Sequence, residues 1–97
     1  PKGGGQVHHL VVALYDSASG RRIEDAVVRA QISESGIVDE PAKYLVPMKV
    51  NELASYGQMF GVAKYGPYRF RLWVRLPGRG DEIEFRFDAW SPHRSER

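Results

Sequence analysis

Apolar and polar residues alternate with a period of two along much of this chain. That period belongs to strands, whose successive side chains point to opposite faces. The clearest case covers residues 68–88. Tyr68, Phe70, Leu72, Val74 and Leu76 share one side, and Arg69, Arg71, Trp73 and Arg75 share the other. "PGRG" (77–80) turns the chain, after which Ile83, Phe85 and Phe87 alternate with Glu82, Glu84, Arg86 and Asp88. A four-residue connection predicts Val74 opposite Ile83, Leu72 opposite Phe85 and Phe70 opposite Phe87. The same register sets Arg75 against Glu82 and Arg69 against Asp88, so both faces specify one pairing.

Weaker patterns fill in the rest. "VHHLVVALYD" (7–16) reads as a strand with Leu10, Val12 and Leu14 on one side and Val11, Ala13 and Tyr15 on the other. "DSASG" (16–20) is built from turn formers. A further strand is expected from Ala26 to Ser33, because Ala26, Val28, Ala30 and Ile32 alternate with Val27, Arg29, Gln31 and Ser33. "ESGIVDEPA" reads as a loop. "KYLVPMKV" (43–50) reads as a strand interrupted by Pro47, which cannot donate to a ladder and so belongs at an edge or bulge. A short strand over 58–63 leads to a Gly66–Pro67 turn. Residues 1–6 are expected to be a flexible lead and 91–97 a disordered tail, leaving 7–90 as one domain. The whole predicts an all-β, immunoglobulin-like β-sandwich of about six or seven antiparallel strands.

Composition narrows the chemistry. A chain of 97 residues can bury one core without metal or disulfide staples. It has no cysteine, which excludes thiolate metal sites, iron–sulfur clusters and thiol catalysis. The formal net charge is only +2, and the arginines alternate with acids rather than clustering, so nucleic acid is not an expected partner. No apolar run approaches the roughly 20 residues of a membrane-spanning helix. The chain opens on Pro1 rather than methionine, as a processed or trimmed chain would. No nucleophile elbow, phosphate loop or acid–base pair is evident, so the chain is not expected to be an enzyme. Arg79–Gly80–Asp81 spells an integrin tripeptide, a match short enough to arise by chance.

The two methionines, Met48 and Met59, fall in what read as connecting segments. Met usually fills gaps in cores, which is one reading of both and the leading one for Met59. Thioether sulfur is also a soft ligand for Cu(I), and imidazole suits copper, iron, nickel and zinc. A site joining His9 to Met48 would therefore favour copper. His8 and His9 are adjacent and point to opposite faces of a strand, so they do not readily share one ion; both also suit half-exposed positions at a strand end.

Taken in order, "HHLVVALYD…G", "DAVVRAQI", "VPM", "SYG" and "GPYRFRLWVRLPG…EFRFD" resemble the bacterial periplasmic iron-transport-associated proteins over roughly residues 7 to 88. The resemblance implies an immunoglobulin-like β-sandwich, often dimeric, that binds copper and iron and accompanies a membrane iron permease. It implies a copper site of histidines and a methionine. The first ligand histidine falls on His9 and the "PM" methionine on Met48. The histidine expected before "YG" is replaced by Ser55, and the acid two residues after the first histidine by Val11. A later histidine belongs to a hairpin insertion, where this chain has only the short "PGRG" turn.

The expectation is therefore a periplasmic accessory protein in copper or iron handling. His9 and Met48 are its candidate metal ligands, with Met59 and His8 auxiliary. Its partners would be a membrane metal permease or another envelope protein, or a second copy in a homodimer. The alternative is a metal-free interaction module of the same fold, using an exposed sheet face or the edge near Pro47.

Overall fold

The computed structural model describes residues 6–34, 40–62 and 67–89. These residues form β1 (Gln6–Val12), β2 (Val27–Glu34), β3 (Lys43–Tyr44), β4 (Val46–Val50), β5 (Leu53–Val62), β6 (Tyr68–Arg75) and β7 (Ile83–Ala89). One sheet has the order β1-β5-β4 and the other β3-β2-β6-β7. Every pairing is antiparallel. The order corresponds to strands B-E-D facing C′-C-F-G of an immunoglobulin sandwich, with no strand in the place of A among the described residues. No described helix is long and apolar enough to cross a membrane.

The core lies where the inward halves of the period-two patterns meet. Val28 and Ala30 of β2, Leu72 and Val74 of β6, and Tyr56 and Phe60 of β5 are buried together with Ala26 and Leu45. Leu10 and Val12 of β1 lean against them. A second cluster joins Val62, Tyr68 and Phe70, again with Leu10 and with Ile32. Tyr56 is the largest fully buried side chain. Its hydroxyl donates to the Ile23 carbonyl at 2.8 Å and accepts from the Ala26 amide at 3.2 Å. The ring thus ties β5 to the connection between β1 and β2 through two polar groups that would otherwise lack partners in the interior.

The β6–β7 hairpin has the expected register at Val74–Ile83, Leu72–Phe85, Phe70–Phe87 and Arg69–Asp88. Glu82, however, bonds chiefly to Arg29 of β2, whose Nη2 and Nε reach its carboxylate at 3.0 and 3.1 Å. Arg75 stands at 3.9 Å. The Arg29 hydrogen bond holds the Glu82 carboxyl below its ordinary value, and the Arg29 guanidinium also lies 4.5 Å over the Trp73 ring. The "DSASG" turn forms as expected. Gly20 donates to the Asp16 carbonyl at 2.7 Å, and the Asp16 carboxylate accepts from Ala18 and Ser19.

Several boundaries differ from the sequence pattern. β1 ends at Val12, short of residue 16, and β2 spans Val27–Glu34 rather than 26–33. "KYLVPMKV" breaks at Leu45 rather than Pro47. The Leu45 side chain enters the core while its amide donates to the Val28 carbonyl at 2.8 Å, and there the chain passes from one sheet to the other. Pro47 sits within the edge strand β4, where its missing donor costs nothing. β5 begins at Leu53, well before residue 58. Met48 stands on β4 and Met59 on β5, within the segments whose alternation reads as strands. Gln6, expected in the lead, opens β1. The rest of the lead (1–5), the loop centre (35–39), residues 63–66 with Gly66 of the expected turn, and the tail (90–97) lie outside the described residues.

The β4–β5 hairpin explains why β5 was hard to read. Its two-residue turn, Asn51–Glu52, has φ of 52° and 65°. Positive φ at both positions is the type I′ pattern that matches strand twist, yet no glycine signals it. Glu52 carries the larger penalty, because a side chain there crowds the backbone. Glu52→Gly is expected to stabilise the chain by about 0.5–1 kcal/mol once glycine's greater unfolded-state freedom is subtracted. Tyr56→Phe is expected to destabilise it by about 1–3 kcal/mol, since the Ala26 amide and Ile23 carbonyl lose their buried partner. Urea unfolding of both variants beside the parent chain measures each shift.

Candidate metal centre

Alternation along β5 decides which side chains can meet. Tyr56, Phe60 and Val62 point into the core, so Ser55, Gly57 and Met59 point outward. In β1, His9 pairs with Met59 and Val11 with Gly57. In β4, Met48 pairs with Ser55 and Val46 with Gly57. Opposed residues of a ladder share a face. His9, Met48 and Met59 therefore all stand on the outer face of the small sheet, on three neighbouring strands.

Gly57 brings two of them together. A Cβ at this position would lie 2.6 Å from Met48 Cε, 3.1 Å from Met48 Sδ and 2.9 Å from His9 Nε2. The thioether and the imidazole thus fold across the glycine from opposite sides. Gly57 is buried although it faces outward, because these side chains cover it. Since both donor atoms lie close to one point, they stand within about 6 Å of each other. Two ordinary metal–ligand bonds of about 2.0–2.3 Å span roughly 4.5 Å at most, so a modest rotation of the flexible thioether accommodates an ion. One imidazole and one thioether make a donor pair of the soft kind.

The neighbours of the pair narrow the choice further. Among the described residues no group of three or more His, Cys, Asp or Glu could hold a metal, so a zinc-type or hard-cation cage is not what the donors suggest. Ser55 and Val11, which stand where the resemblance implies a histidine and an acid, lie on this same face beside Met48 and Gly57. Ser55 is buried, and Arg22 Nη1 approaches its hydroxyl at 3.4 Å while also donating to the Ala54 carbonyl. A cavity of about 240 Å³ opens beside Met48, lined in part by Glu24, Asp25 and Lys49; neither His9 nor Gly57 lines it.

The other two candidates separate. Met59 is 48% exposed in the same row as His9. It does not pack in the core, because the outward half of the β5 alternation carries it. His8 faces the other way, paired with Phe60, with its ring 6.1 Å from that of Tyr68. The strand period that puts His9 over Gly57 removes His8 from the same group.

Gly57 and Arg22 carry no sequence signal of these roles. The outer face is also broadly apolar: Val7, Val11, Val46, Val50, Leu53 and Met59 are 43% to 61% exposed. The signal was present in "HHLVVAL", which is apolar on both sides of its alternation.

No protein-family model, curated protein or solved structure matches the chain.

Gly57→Ala isolates the cradle. Its new methyl fills the space between the two donors while meeting only side-chain ends, and Gly57 has no positive φ that alanine would strain. The fold is expected to keep its stability within about 1 kcal/mol, while nuclear Overhauser contacts between the His9 ring and the Met48 methyl disappear. Unchanged contacts between them would show that Gly57 does not seat the pair.

Proposed function

We propose that this chain is a non-enzymatic accessory β-sandwich that binds a soft metal ion, Cu(I) foremost, through His9 Nε2 and Met48 Sδ. The observation that carries the reading is their convergence over Gly57, from strands far apart in sequence. Imidazole and thioether are the donor pair that favours copper. Met59, in the His9 row and free of the core, is the nearest auxiliary thioether. Copper here is cargo. Few ligands on an exposed face favour its release to another ligand set, and no acid–base group is required. The resemblance to the periplasmic iron-transport-associated proteins supports an exported setting, copper or iron handling and an envelope partner such as a metal permease.

A second reading rests on a different observation. The six exposed apolar side chains around the pair form one outer sheet face, and large apolar patches commonly mark protein contacts. On that reading the chain is a metal-free interaction module.

Anaerobic Cu(I) titration followed by NMR separates the two. The metal reading expects the Met48 methyl and His9 ring signals to shift together and saturate at one equivalent. Met48→Leu, a swap of similar volume that keeps the fold, and His9→Ala are each expected to abolish that saturation. Unmoved signals at micromolar copper would leave the interaction module.

A further inference from the structure

The four edges of the two sheets are not protected alike. β3 is only two residues long, and β4 carries Pro47 and Lys49; short strands, proline and lysine all discourage further pairing. β1 has seven residues without proline or lysine, as has β7, and among the described residues nothing pairs with the outer edge of either. β7 differs from β1 in alternating acids with arginine along that edge. Its inward side is also uncovered. Ile83, Phe85 and Phe87 share a face with Val74, Leu72 and Phe70. Yet they are 41%, 47% and 41% exposed, whereas those β6 partners are 9% or less. The small sheet has only three strands against four, and its cover stops short of β7.

We propose that β7 is a self-association edge, through which two copies of this chain join their larger sheets antiparallel about a twofold axis at Phe85. Charge complementarity selects the partner and the register. Slips by one residue set apolar against polar side chains. Among the registers that keep the faces, centring on Phe85 pairs Phe85 with itself and each Ile83 with Phe87 of the second copy. On the outer side it sets each Glu84 opposite Arg86 of the second copy, twice by symmetry. Centring on Glu84 or Arg86 places like charges on the axis and pairs fewer apolar residues. Within one copy Arg86 already reaches Glu84 at 2.9 Å, so the axis gathers two acids and two arginines in alternation. The one like-charged meeting, Glu82 with Asp88, is flanked by their own partners Arg29 and Arg69. Isologous pairing of this kind closes at two copies and leaves no free β7 edge.

Sedimentation velocity at low salt tests this without reference to metal, so its outcome is separate from that of the copper titration. The parent chain is expected to dimerise. Glu84→Arg and Arg86→Glu are each expected to raise the dimer dissociation constant at least about tenfold, because each surrounds the axis with like charges. Mixing these two variants in equal amounts is expected to restore a dimer, as is the double exchange E84R/R86E. The exchanged residues are exposed, and circular dichroism checks that each variant folds. A parent chain that stays monomeric near 1 mM, growth beyond two copies, single exchanges that leave association unchanged, or mixing without rescue would each overturn the proposal.

Discussion

Everything on the outer face of the small sheet depends on how Tyr56 is held. Its ring is buried against both sheets, and its hydroxyl bridges the Ile23 carbonyl and the Ala26 amide. Those bonds cannot be kept if β5 slips by one residue, because a slip would turn Tyr56 to solvent and Gly57 and Met59 to the core. With Tyr56 inward, Gly57 must face out. With Gly57 outward and lacking a Cβ, the side chains of the two flanking strands can close over it. An interior hydrogen-bond requirement thus sets the exterior geometry of the candidate metal centre.

The same constraint explains which donors meet. His9 and Met48 belong to strands that never pair with each other, and β5 lies between them. Residues on the outer strands of a three-stranded sheet ordinarily stand about two strand spacings apart. Only a central residue without a side chain lets them reach across. Ser55, beside Met48, is engaged with Arg22, so the position where the resemblance implies another histidine offers a hydroxyl beside a cation. The result is a nitrogen–sulfur pair on a sheet face with many exposed apolar side chains, a donor set of the soft kind.

Unequal sheets account for the other exposed surface. Four strands face three, so the inner side of β7 lacks an opposing layer. Phe70 and Phe87 still stack, with centroids 5.1 Å apart, but the far side of that strip is open. The alternating charges beyond it follow from the β6–β7 pattern, in which arginines and acids occupy the solvated face. One sequence pattern therefore specifies the hairpin within a chain and makes its free edge complementary to itself.

The β6–β7 hairpin was fully legible in the sequence, because two independent alternations, apolar and charged, demand one register. The β2 alternation and the Asp16 turn were legible for similar local reasons. β5 was not, because its glycines are weak strand formers and its turn residues Asn51 and Glu52 adopt positive φ without announcing it. The break at Leu45 was hidden by Pro47, the stronger local signal of the two. Residue types alone singled out imidazole and thioether as the chemistry to examine, and the strand period alone parted His8 from His9. Tertiary structure decided that His9 and Met48 meet, that Met59 lies outside the core, and that Glu82 prefers Arg29. Those outcomes rest on which strands become neighbours and on a side chain absent at Gly57, and no local pattern carries that information.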